Sequence, residues 1–123
     1  EREMDNARLD LAIKSLEGAL LVEADGELDT WTRDAFDDAL RKAADGDDQM
    51  LIVDLTRVKS MDIGALSSLR RACTLLGSER KLCAIARGEA RKVLEMTRFD
   101  ELLQVYSQLQ DALEGVVKPS KAG

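Results

Sequence analysis

The stretch 50-MLIVDLTRVKSMDIGAL-66 decides the fold. Its opening, Met50 to Leu55, is a nearly unbroken apolar run bounded by turn formers, as suits a central strand covered on both faces. Its end leads into Gly64 to Leu76, where Leu66, Leu69, Cys73 and Leu76 recur on one helical stripe. Asp62 stands where a side chain can cap that helix, and Gly77 where the chain can leave it. A strand followed directly by an amphipathic helix is the building unit of α/β sheets.

Upstream, Leu9, Leu11 and Ile13 alternate with Asp10, Ala12 and Lys14, the period-two pattern of a strand with one buried face. Glu17-Gly18 turns the chain into Ala19 to Ala24, a second strand that pairs with the first as a hairpin and is expected to break at Asp25-Gly26. From Thr32 to Ala44 the positions Ala35, Phe36, Ala39, Leu40 and Ala43 have helical spacing, with Thr30 or Thr32 as cap and Asp45 to Asp48 as terminator. Downstream, Lys81 to Ala86 reads as a strand, and Gly88 to Thr97 as a helix with Ala90, Val93, Leu94 and Thr97 on one face. The last segment has two readings. Leu102, Val105, Leu109, Ala112 and Val116 fit one long helix, but Leu103 to Tyr106 also fits a short strand, and Ser107 with Gln110 resembles a capping box that starts a fresh helix. Strand then helix is preferred. The order predicts one α/β domain over 8–117, a mixed sheet of four to five strands with about four helices, between a polar segment 1–7 and a loosely packed tail 118–123.

Composition narrows the chemistry. With 45% hydrophobic but only 3% aromatic residues among 123, the core must be aliphatic. A net charge of -6 repels nucleic acid unless basic residues cluster, and those at Arg70-Arg71 and from Arg87 to Arg98 are interspersed with Glu89, Glu95 and apolar positions. No apolar run approaches the ~20 residues that cross a bilayer, and nothing near Glu1 resembles a signal peptide, so a cytoplasmic chain without membrane insertion is expected. The absence of histidine excludes Ser-His and Cys-His nucleophile pairs and the commonest zinc sets. Cys73 and Cys83 lack C-x-x-C spacing and read as inert buried thiols. Asp37-Asp38 point in different directions on a helix, and Asp47-Asp48 lack calcium-loop spacing. Neither catalytic residues, nor a metal, nor a cofactor is expected. Asp54 could suggest a phosphoacceptor, but Lys14-Ser15-Leu16-Glu17 after the first strand supplies no acidic set for Mg²⁺, so Asp54 reads as a strand-end acceptor of loop amides. Trp31, between Thr30 and Thr32, reads as a cover for the edge of the core in preference to a binding anchor.

Four pieces in order, Gly26-Glu27-Leu28-Asp29, Leu51 to Leu55, Met61-Asp62 and Leu82 to Ala86, give the chain from Leu9 to Leu113 a resemblance to the STAS domain of anti-sigma factor antagonists. The resemblance implies a non-enzymatic protein-binding regulator. In that family the loop after the third strand and the start of the next helix dock onto an anti-sigma factor, usually a serine kinase, and free a sigma factor. The matching residues here are Ser60, Met61, Asp62, Ile63, Gly64, Ala65 and Leu66. The family's switch is a phosphorylated Ser or Thr directly after the Asp; Ile63 stands there and has no hydroxyl. Ile63 thus offers an apolar contact, with inward packing as the competing reading. Ser60 is the alternative phosphosite, while Ser67 and Ser68 are explained by local bonding to backbone. STAS domains also serve as parts of anion transporters, lipid-transport complexes and stress-sensing scaffolds, which is the alternative reading of the missing hydroxyl.

Overall fold

The computed structural model describes residues 8–117; the expected polar segment and tail lie outside them. The elements are β1 (Leu9–Leu16), β2 (Ala19–Leu28), α1 (Arg33–Ala44), β3 (Met50–Met61), α2 (Gly64–Leu76), β4 (Lys81–Ile85), α3 (Gly88–Met96), a 3₁₀ turn at Phe99–Glu101, β5 (Gln104–Tyr106) and α4 (Leu109–Val117). The five strands lie in the order β1-β2-β3-β4-β5, with β1 antiparallel to β2 and the remaining pairs parallel. This is the mixed α/β sheet that the sequence pattern implies, including the strand-then-helix ending.

Both faces of the sheet are covered, which is why β3 is apolar at consecutive positions. Leu51, Val53 and Leu55 point into the larger core with Val22 of β2 and with Phe36, Leu40, Leu69 and Leu94, which come from helices α1 to α3. Met50 and Ile52 point the other way, into a smaller core with Leu21, Cys83, Ile85 and Ala112, closed by half-buried Leu109 and Leu113 of α4. Burial pushes the Cys83 thiol up to about 12 and raises half-buried Cys73 as well, and both are free.

Three expectations about element ends are corrected. β2 does not break at Asp25-Gly26 but continues to Leu28, through register shifts between Glu23 and Asp25 and between Gly26 and Glu27. Gly26 makes this possible: its φ of 135° is open to glycine, and a Cβ there would lie 2.1 Å from the Arg8 carbonyl oxygen. β3 in turn does not end at Leu55 but runs to Met61, held by pairs as far as Leu28–Met61. Third, β1 buries Leu9, but Ile13 is 43% exposed because β1 is the sheet's edge, and Thr97 is exposed beyond the end of α3.

Leu69 is fully buried in the larger core, so Leu69→Ala should cost about 3 kcal/mol in urea unfolding through lost transfer energy and a cavity. Gly26→Ala should destabilise the chain more than substitutions at exposed strand positions, because both its φ and the Arg8 carbonyl oppose a side chain. Thiol labelling near pH 8 should leave Cys83 unmodified until the protein is unfolded, since burial keeps it protonated and out of reach.

Candidate functional site

Parallel pairing brings the ends of β2 and β3 to one edge of the sheet. The Asp62 N–H donates to the Leu28 carbonyl at 2.9 Å, so the turn after β2 and the start of α2 lie side by side. In the first of these, the Asp29 carboxylate accepts the N–H groups of Trp31 at 2.9 Å and Thr32 at 3.2 Å. The Thr32 hydroxyl donates to the Glu27 carbonyl at 2.7 Å and accepts the Asp29 N–H at 3.0 Å. Neither threonine therefore caps α1 as expected; Thr32 precedes the helix but spends its hydroxyl on the strand end, and Asp29 satisfies the turn's amides. Partial burial pushes the Asp29 carboxyl up, but the bond from the Arg8 guanidinium and those from Trp31 and Thr32 hold it below its ordinary value.

This tied turn presents Trp31, which is 80% exposed. The expectation that Trp31 covers the core is corrected. Leu28 and Phe36 are already buried without it. The sequence carried one usable sign: Trp31 is flanked by two threonines and falls outside the apolar stripe of α1.

In the second segment, the Asp62 carboxylate accepts the Ala65 N–H at 3.3 Å, satisfying an amide at the start of α2 as the sequence implies. Ile63 sits just before the helix and is 69% exposed, which settles the alternative of inward packing. The set expected to form the contact splits by burial. Met61, Ala65 and Leu66 belong to the larger core, because Met61 is the last inward residue of β3 and the other two lie on the sheet-facing side of α2. Ser60 and Ile63 are exposed, and Asp62 and Gly64 are half-buried. Ser60 lies on β3 opposite Glu27, on a strand where a loop was expected. Ser67 is exposed, whereas Ser68 is buried with its hydroxyl unpaired, contrary to the local bond expected of it.

Arg33 of α1 completes the surroundings. Its guanidinium packs on Gly64, where a Cβ would lie 2.5 Å from Nη2, and its Nε is buried without a hydrogen-bond partner. Glycine at this position thus leaves room for the Arg33 guanidinium against the start of α2.

Asp54 is in mid-strand and not at a strand end, at the point where pairing with β4 stops; it accepts the Thr56 N–H at 2.9 Å and hydroxyl at 2.7 Å. The neighbours Asp37 and Asp38 pair with different arginines, Arg71 and Arg41. Among the described residues no cluster of three or more His, Cys, Asp or Glu is arranged to hold a metal, and no helix is long and apolar enough to cross a membrane. What the site offers is exposed apolar surface, Ile63 and Trp31, on turns fixed by Asp62 and Asp29.

The STAS domain family model matches residues 10–112. Anti-sigma-F factor antagonist RsfB from two strains of Mycobacterium tuberculosis is 27% identical over 100 residues, which are 80% of this chain and 82% of the relative. The crystal structure of an anti-sigma factor antagonist from Mycobacterium paratuberculosis superposes with a TM-score of 0.85 at 26% identity, covering 89% of this chain and 95% of the other. The Bacillus cell fate determinant SpoIIAA in its phosphorylated form shares the fold, with a TM-score of 0.65 at 15% identity over 87% of this chain and 99% of that one.

Asp29→Ala should lower stability by about 1 kcal/mol, as loss of a capping carboxylate does, and should loosen Trp31, measurable as a drop in tryptophan fluorescence anisotropy. Because the folded Asp29 value is depressed, its contribution is present above the ordinary aspartate range and is lost as pH falls through the folded value. Urea midpoints followed from neutral to acid pH should therefore fall less steeply in Asp29→Asn than in the parent.

Proposed function

The chain belongs to the STAS domain family, and from that premise we propose that it is a non-catalytic cytoplasmic regulator that binds an anti-sigma factor of the serine-kinase type and so frees a sigma factor. The observation that supports this reading is Ile63: a large apolar side chain held out of the core at the start of α2, in the segment proposed as the docking surface. Burying such a side chain against a partner is worth roughly 1.5–3 kcal/mol, enough to make it a principal contact. Ser60, Asp62 and Gly64 surround it, while Met61, Ala65 and Leu66 act from below by fixing the end of β3 and the start of α2. Trp31 extends the patch from the neighbouring turn.

In this reading Ile63 also holds the regulator in the state without phosphate. A phosphoryl group at this position would add about -1.5 to -2 charge beside Asp62 and set it against an apolar contact. SpoIIAA, which shares the fold, has a phosphorylated form; Ile63 offers no hydroxyl for one. Ser60 remains the accessible alternative acceptor. The same missing hydroxyl favours a second reading, a STAS module held stably in a transporter or scaffold complex.

Capture from native lysate with the wild-type chain as bait separates the two readings, an ATPase-type anti-sigma factor supporting the first and a transporter or scaffold subunit the second. Against the captured anti-sigma factor, Ile63→Glu should raise Kd at least about tenfold with an unchanged melting curve, since it places an unpaired charge in a buried contact. A folded variant with wild-type affinity would remove Ile63 from the interface. Ile63→Ser should acquire phosphate from a kinase partner and ATP, at position 63 by mass spectrometry, where the parent acquires none.

A further inference from the structure

β1 is an edge of the sheet, and among the described residues nothing pairs with its outer side. The two-residue turn Glu17-Gly18 makes Leu16–Ala19 the closing hydrogen-bonded pair of the hairpin. Alternation along the antiparallel ladder then turns the N–H and C=O groups of Leu9, Leu11, Ile13 and Ser15 away from β2. A strand of eight residues with such a row of free groups is a template for another strand. Edges that must stay single carry proline, a bulge, charged side chains such as lysine, or a covering segment. β1 contains no proline, the register shifts of this sheet lie between β2 and β3, and its charges are one Asp and one Lys placed symmetrically about Ala12.

That symmetry selects a register. Two antiparallel copies can oppose their outward-facing groups with the two-fold axis at Leu11, Ala12 or Ile13. At Ala12, Leu11 lies opposite Ile13 of the second copy, and Asp10 opposite its Lys14, each pair occurring twice. Moving the axis by one residue sets Asp10 against Ala12 or Leu16 and loses both charge pairs. Opposite residues share a face, so half-buried Leu11 and exposed Ile13 close over the side of the junction that carries α1. Trp31 and Ala35 flank the same edge, along a groove of about 610 Å³ that Leu9 and Leu11 also line. On the other face, Asp10 makes no ion pair among the described residues and stands across from Asp25, which Arg57 approaches at 3.7 Å, whereas Lys14 reaches Glu23 at 3.0 Å. Lys14 of a second copy gives Asp10 an opposite charge while remaining near Glu23.

We propose that β1 is a self-pairing edge: two copies of this chain join β1 to β1, antiparallel and centred on Ala12, into one continuous sheet. The inference rests on the β1 edge and the groove beside it and is independent of the partner-binding reading of Ile63. The two-fold axis stands perpendicular to the sheet, so helices α1 to α3 of both copies lie on one side and α4 of both on the other.

Sedimentation analysis of the full chain over a concentration series at low salt tests this. The wild type should show a concentration-dependent monomer–dimer equilibrium. Asp10→Lys and Lys14→Asp should each raise its Kd about tenfold or more, because two symmetric pairs turn from attraction to repulsion. An equimolar mixture of the two variants should recover the wild-type Kd as a heterodimer, since each then supplies the charges the other lacks. Ile13→Pro, which removes an outward N–H without touching the β2 ladder, should give a folded monomer by circular dichroism. A wild type that stays monomeric throughout, single variants that dimerise like the parent, or a mixture without recovery would overturn the proposal. So would a dimer that Ile63→Glu dissolves and the charge swaps do not.

Discussion

The site depends on the parallel pairing of β2 with β3 being carried to its last rung, Leu28 with Met61. Were β2 to stop at Ala24 and β3 at Leu55, the turn bearing Trp31 and the segment bearing Ile63 would leave the sheet independently. Gly26 prevents this by absorbing a register shift in a conformation that a side chain would forbid, with the Arg8 carbonyl packed where a Cβ would stand. The Asp62 N–H then reaches the Leu28 carbonyl, and both segments emerge from one sheet end. A glycine that looks like a break in the sequence is what keeps the strand going.

From that point the local chemistry follows one logic twice. Asp29 satisfies the amides of the turn before α1, and Asp62 satisfies an amide at the start of α2. Each carboxylate fixes a short backbone segment whose next large side chain, Trp31 or Ile63, is left outside. The residues beneath, Met61, Ala65, Leu66 and Phe36, are core. Rigid polar turns presenting apolar side chains give a surface suited to association, because little conformational entropy remains to be lost on binding. The same surface holds no histidine and, among the described residues, no cluster arranged to hold a metal.

Much of the fold was legible because its signals were periodic. The consecutive apolar residues of β3 required cover on both faces, and the stripe of Leu66, Leu69 and Leu76 placed α2 to the residue. Strand ends were less legible, since Thr56 to Ser60 carry alternating polar residues that read as loop until their pairing with β2 is known. At the site, a contiguous motif hid an alternation of burial: adjacent residues at a helix start point in different directions, so Ile63 is outside and Ala65 inside. Trp31 was misread because an isolated aromatic is ordinarily drawn to a core, whereas here Leu28 and Phe36 are buried without it. The hydroxyl of Ser68, buried and unpaired, has no physical account in the fold.

The central claim is that the end of the sheet where β2 and β3 finish together is the docking surface. Amide hydrogen exchange of the chain with and without the proposed anti-sigma factor partner measures this most directly. The account predicts new protection concentrated at 29–32 and 60–67, with the β1 edge and α4 unchanged. Protection on α4 or β1 with both turns unaffected would contradict it.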